Sequence, residues 1–246
     1  MNNAPGIETA LRNLTNAISK TLKVYNLWLQ ENPNHLYEIF QPLIKAVNRS
    51  KAITALLDNQ IVFTDDLTDI LVEEISKSDN VTELIENYYM ADNCQKFNEL
   101  KDKCIKSELT KKYNELFCQV FSAYDIQHYH LACMGLFAIS DGLLATLSKI
   151  ERNTSYKKRT DTIIKRLENE EPLSINDRRL TCIICSLSNI DYTVFKESHF
   201  DEDEPDYVNR HWTLHGRTNR TFERMDFIRV LLWIDALIIL DDYLKE

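Results

Sequence analysis

Glycine and proline are scarce in this chain, four and five among 246 residues. Turn-rich β architectures need more breakers than that, and the helical spacing of apolar residues along most of the sequence predicts an all-α fold. Long apolar runs are missing too. The longest, Val230 to Leu240, contains Asp235 and falls short of the roughly 20 residues that a spanning helix needs, so no membrane contact is expected. The first residues, MNNAPGIETALRN, carry neither a basic n-region nor an apolar h-region, which predicts no secretory signal and a cytoplasmic location. Positive charge is in deficit. A formal net charge of −9 excludes a general nucleic-acid coat, whose footprint is basic, but leaves room for a local basic groove. The six cysteines are scattered without scaffold spacing and are expected as buried thiols. Cys182-Ile-Ile-Cys185 has the spacing of half a zinc site, yet there is no second pair. The His-x-Glu and Pro-Cys-x-x-Cys elements of a zinc deaminase are absent as well.

What is present is helix after helix. Apolar spacing predicts one from Ile7 to Gln30, a break at Asn32-Pro33-Asn34, and a second from His35 to Asn48. Shorter ones follow from Lys51 to Asp58 and from an N-cap at Thr64 through Ile75, then from Val81 to Met90 and Asn93 to Lys106. Residues 1–106 bring no reactive side chains together and are expected to form a helical region that packs or docks a partner. Residues 107–246 are expected to form a second helical unit. There, a nearly continuous pattern runs from Leu109 to Ile150 with a break near Tyr124 to His128, and its apolar second half should be central. Asp141 lies within that apolar surface, where an ionised carboxylate is costly without a cationic or donor partner. His128 and His130, two apart, would point about 200° from one another on a helix and so do not converge on a metal.

A basic connector from Glu151 to Arg166 includes Lys157, Lys158 and Arg159. It is either a phosphate-tracking surface or a solvated loop and helix start. Helices are predicted from Thr160 to Glu168 and from Asn176 to Ser188. The stretch from Phe222 to Leu240 is too apolar for a one-sided surface helix, and should be sandwiched in a bundle or shared with a second copy.

The chemistry concentrates in Asn209-Arg-His-Trp-Thr-Leu-His-Gly216. A guanidinium offers a phosphate two parallel charge-assisted hydrogen bonds, and an imidazole moves protons near neutral pH. On a regular helix Arg210 and His215 lie about 140° apart, whereas His211 and His215 share a face. Three readings compete. The two histidines bind a metal, although no third ligand is evident. Alternatively the residues are structural, with Arg210 bridged to an acid. In the third, they form a phosphodiester-cleaving site. Arg217, Arg220 and Arg224, at i, i+3 and i+7, make a basic stripe if the following helix starts early enough, or else salt-bridge to Glu223 or the acidic loop Asp201–Asp206.

Read as Asn-Arg-His-x-x-Leu-His-Gly, this segment resembles the signature of the HEPN superfamily, with the nearest likeness to Apea-like and related prokaryotic members. The resemblance covers about the last half of the chain. It implies an up-and-down helical bundle that acts as a homodimer, and a metal-independent endoribonuclease without cofactor. Phage defence, abortive infection or toxin action is the implied setting, with RNA as substrate and an antitoxin or regulatory partner. By resemblance Arg210 and His215 are catalytic, His211 fills the polar place after the Arg as an auxiliary donor, and Asn209 orders the motif or touches substrate. The segment Ala-Ile-Ser-Asp-Gly resembles the family's acidic helix, which implies that Asp141 faces Arg210. The alternative for Asp141 is a local bond beside Ser140. Arg217, Arg220, Arg224, Lys157, Lys158 and Arg159 are the expected RNA contacts. The alternative function is a non-catalytic module of the same family that binds RNA, a nucleotide or a protein.

Overall fold

The computed structural model describes residues 15–23, 36–64, 66–150, 154–170, 180, 183–184, 187, 193–197 and 201–245. The fold is all-α, and among the described residues there is no strand. Residues 15–23 are helical (α1). They are followed by α2 (Leu36–Asp58), α3 (Asp69–Ile75), α4 (Val81–Lys106), a 3₁₀ turn (Lys111–Tyr113), α5 (Asn114–Asp125), α6 (Tyr129–Ser148), α7 (Tyr156–Glu170), α8 (Arg210–Leu214) and α9 (Arg224–Tyr243). Most of the expected helix from Ile7 to Gln30, that from Asn176 to Ser188, and the pair Cys182 and Cys185 lie outside the described residues.

The chain forms two compact units, one of residues 1–52 and 69–77 and the other of 53–68 and 78–246. They do not divide at 106/107. In the smaller unit, Lys45 and Arg49 on α2 pair with Asp69 at the start of α3, at 3.0 and 3.4 Å. Two expectations change here. Helix α2 runs unbroken through Asn48 and Ser50, because no Gly or Pro stands between Leu43 and Asp58. Helix α3 begins at Asp69 and not after Thr64, whose buried hydroxyl bonds to Asp66 instead.

In the larger unit α4 is two helices in one, as its spacing implies. Ala91–Cys94 leave helical geometry, with Asp92, Asn93 and Cys94 all at positive φ. The break between α5 and α6 falls at 126–128, and the two helices pack together as a hairpin. Helix α6 is the hub, packing against α5, α7, α8 and α9. Its Gly142 makes room for Tyr113, since a Cβ there would sit 1.7 Å from the Tyr113 hydroxyl and the ring would have to move. By length and composition α6 could cross a membrane, the one described helix that could. In the fold, however, 56% of its apolar window is buried by neighbouring helices.

Helix α9 is buried from Met225 through Asp241 apart from Arg229. A helix apolar all round belongs inside, and here α4 and α6 cover it within one chain. An aromatic cluster joins it to α4 and α5, with Tyr124 4.8 Å from Phe97 and 4.6 Å from Phe227. Its three buried acids each have a cation. Asp226 meets Arg220 and Arg229 at 3.2 and 3.1 Å, Asp235 meets Lys103 at 2.5 Å, and Asp241 meets Lys245. Cysteines divide by face: Cys104 and Cys133 are buried, but Cys118 is exposed, because α5 turns Phe117, Val120 and Phe121 inward and leaves position 118 outside.

Candidate functional site

The motif helix α8 is only five residues long, too short to hold itself together, so its caps decide its position. Asn209 caps the start. Its Oδ1 accepts from the His211 and Trp212 amides at 2.9 and 3.1 Å, satisfying two of the orphan donors of a helix N-terminus. Its Nδ2 donates to the carbonyls of Thr193 and Lys196 at 2.9 and 3.1 Å. The Arg210 amide donates to the Val194 carbonyl at 2.7 Å. Asn209 is therefore a strut, 3% exposed, with every side-chain atom committed to the backbone. At the other end His215 is the C-cap and Gly216 has φ +63°. The Arg217 amide reaches the Trp212 carbonyl and the Gly216 amide reaches that of Thr213, the two bonds of a Schellman cap.

Between these caps Trp212 and Thr213 face the interior, leaving His211 half-buried and His215 exposed. The two imidazoles stand side by side, ring centroids 4.5 Å apart. Among the described residues no group of three His, Cys, Asp or Glu could hold a metal ion, so the pair has no third ligand there.

Arg210 points at α6. Its Nη2 lies 2.7 Å from Asp141 Oδ2, so the structure brings together the two residues that the resemblance pairs across 69 positions. Ser140, the local alternative, bonds to the Leu136 carbonyl. Two residues of α7 complete the node. The Tyr156 hydroxyl donates to Asp141 Oδ1, and its ring lies under the Arg210 guanidinium, 4.9 Å from ring centroid to Cζ. Arg159 Nη1 is 3.8 Å from the same Oδ1. Beneath them Phe195 stacks on Tyr156 at 4.8 Å and packs on Trp233 of α9 at 4.2 Å, so the ionic group sits on a rigid apolar floor. Burial, reinforced by the Asp141 charge, pushes the Tyr156 phenol far above its ordinary value, and it stays a neutral donor. Burial pulls Arg210 down, but Tyr156 and Asp141 outweigh it and hold the guanidinium above its usual value.

Tyr156 and the burial of Arg159 were missed from sequence. The signal was there: Tyr156, Arg159, Thr160, Ile163 and Leu167 form the buried stripe of α7, which starts four residues earlier than expected and turns Arg159 inward while Lys157 and Lys158 stay exposed.

The basic stripe is not formed. Helix α9 starts at Arg224 through a capping box of Glu223 and Asp226, so Arg217 and Arg220 precede it in non-helical chain. Arg220 is drawn to Asp226 and lies over Phe222 at 5.2 Å, and Arg224 pairs with Glu86 at 3.4 Å. Arg217 is exposed. His130 stacks on Phe222 with centroids 4.4 Å apart, a packing role. From the acidic loop, Glu204 docks on the turn after the motif. It accepts from the Thr218 hydroxyl, the Asn219 amide at 2.8 Å and the Arg220 amide. Burial raises its carboxyl, but the donors outweigh this and leave it below the usual range.

The geometry assembles a clamped guanidinium, a neutral phenol and two adjacent imidazoles on helices α6, α7 and α8. Compared with family models, curated proteins and solved structures, the chain matches none.

Proposed function

We propose that the chain is a metal-independent endoribonuclease of the HEPN type, acting as a homodimer. The observation that carries the reading is Arg210, fixed by Asp141 at 2.7 Å and presented from the same short helix as the paired imidazoles of His211 and His215. A ribose 2′-hydroxyl gives its proton to His215, and its oxygen attacks the adjacent phosphorus. Arg210 stabilises the charge that builds on the non-bridging oxygens. The P–O5′ bond breaks, leaving a 2′,3′-cyclic phosphate and a 5′-hydroxyl whose oxygen takes up a proton.

In-line displacement puts the base and the proton donor on opposite sides of phosphorus. The imidazoles of one chain stand together, 4.5 Å apart, and so serve one side only. A second copy related by a two-fold axis supplies the other, with His211 as donor. DNA lacks the nucleophile and is not cut.

Purified protein is incubated with mixed-sequence RNA, with and without EDTA, beside Arg210→Ala and His215→Ala. The expected result is EDTA-insensitive cleavage leaving cyclic-phosphate ends, with His215→Ala slower by roughly 10²–10⁴-fold and Arg210→Ala by roughly 10²–10³-fold. Equal rates in both variants and the parent would sink the assignment. RNA that is bound and never cut would replace it with the non-catalytic reading.

A further inference from the structure

Arg159 is buried to 9% exposure, and its Nε has no hydrogen-bond partner. Among the described residues none accepts a hydrogen bond from its guanidinium, and the one counter-charge there is Asp141 at 3.8 Å. That carboxylate is already taken by Arg210 at 2.7 Å and by the Tyr156 hydroxyl. Two guanidiniums thus share one carboxylate and a neutral phenol, and the Arg210 Nε is also buried without a partner. Among the described residues the node carries a surplus positive charge and unmet donors, a costly arrangement for a group that serves only to hold helices together.

The second two-arginine node of the molecule shows what a structural guanidinium looks like. Arg229 also shares an acid, Asp226, with Arg220, but its donors are met by the Asn59 carbonyl at 2.9 Å, Asp226 at 3.1 Å and Thr82 at 3.3 Å. Arg220 leaves a buried Nη1 without a hydrogen bond yet keeps Asp226 at 3.2 Å. Arg159 has the burial and lacks the bonds. The node is not sealed either: it reaches the surface through the Asp141 and Arg210 side chains, which are 31% and 23% exposed.

We infer that Arg159 and Arg210 together form a binding site for a phosphoryl oxyanion, with Arg159 the residue whose donors the ligand satisfies. Arginine forks match tetrahedral oxyanions in geometry and charge. The identity of the ligand as a phosphate of the RNA backbone rests on the ribonuclease reading; the anion site itself does not. Asp141 and Tyr156 hold Arg210 in place, and Arg159 binds from α7, so the phosphate is gripped from two helices at once.

Thermal unfolding is followed while inorganic phosphate replaces chloride at constant ionic strength, for the parent chain, Arg159→Met and Arg159→Lys. In the parent the midpoint rises with phosphate. Arg159→Met removes the orphaned charge but leaves Asp141 its pair with Arg210, so its midpoint without phosphate is equal or higher, and the phosphate response weakens about tenfold or more. Arg159→Lys keeps the charge without the fork and loses most of the response. An uncleavable 2′-deoxy oligonucleotide competes with phosphate in the parent; competition by adenosine monophosphate alone would overturn the assignment to a polymer backbone. A destabilised Arg159→Met that still responds to phosphate would show Arg159 to be structural and overturn the site. RNA cleavage is no part of this measurement. A phosphate response lost in Arg159→Met with no RNA cut would remove the ribonuclease and keep the site; full RNA cleavage by a variant blind to phosphate would keep both and overturn the identification of the ligand as the RNA backbone.

Discussion

Replacing Asn209 tests whether the motif is held by its cap. Its carboxamide makes four bonds, two accepted from the amides of His211 and Trp212 and two donated to the carbonyls of Thr193 and Lys196, at 3% exposure. Asn209→Ala loses the cap, about 1 kcal/mol. It also takes the Nδ2 donor from the Lys196 carbonyl, about 1 kcal/mol, whereas the Thr193 carbonyl keeps the Lys196 amide at 3.2 Å, so the total is about 2 kcal/mol. Asn209→Asp separates the two halves. It keeps the acceptor and even favours the helix dipole, but it donates nothing and turns a buried carboxylate toward two carbonyl oxygens. At pH 7 it should therefore cost at least as much as alanine. Burial and the facing carbonyls raise the folded-state pKa of that new carboxyl above its unfolded value, so the folded form gains protons first and the deficit shrinks as pH falls from 7 toward 5. Urea unfolding followed by the fluorescence of Trp212 and Trp233 measures this across that range. An Asn209→Asp chain as stable as the parent at pH 7, or one whose deficit grows on acidification, would refute the account.

Gly142→Ala should destabilise by about 1–3 kcal/mol through overpacking against Tyr113. Tyr113→Phe should relieve it only in part, because the ring carbon at 2.7 Å remains; thermal unfolding of the single and double variants checks this. Alkaline stability should fall above pH 10. Burial pushes Tyr124 up to about 12 and raises Tyr156 and Tyr89 as well, so the unfolded chain loses its phenolic protons first, from near 10.0, and the stabilisation is lost as pH rises through the folded values. Tyr124→Phe should flatten the decline between pH 10 and 12 in urea titrations, and an unchanged slope would contradict the assigned burial.

The all-α architecture was legible because periodicity is a local signal that tertiary contacts rarely reverse. The break inside α4 and the turn at 126–128 were readable for the same reason. Boundaries failed where side-chain chemistry offered two outcomes. Thr64 could cap a helix or bond to Asp66, and only the fold brings Tyr88 and Tyr89 over to hold Asp66 in place, at 2.9 and 2.7 Å. The arginines after the motif failed differently. Their spacing is helical in the sequence, but Asp226 is better used closing the Glu223 capping box and pairing with Arg220 than standing free beside a continuous stripe.

Arg159 shows where the limit lies. Its neighbours Lys157 and Lys158 make it one of three cations in a row, and on composition alone all three are solvated. Its place on a stripe with Tyr156, Ile163 and Leu167 says that one of the three turns inward, and periodicity names which. What periodicity cannot supply is the partner. Asp141 is 18 positions upstream and Arg210 is 51 downstream, so the competition of two guanidiniums for one carboxylate exists only once α6, α7 and α8 are packed. Arg229, with its donors filled, is an ordinary strut, whereas Arg159, with its donors unfilled and its counter-charge already taken, is the residue proposed to bind. That distinction is made by hydrogen bonds alone, at a level below anything that charge counting along the chain can reach.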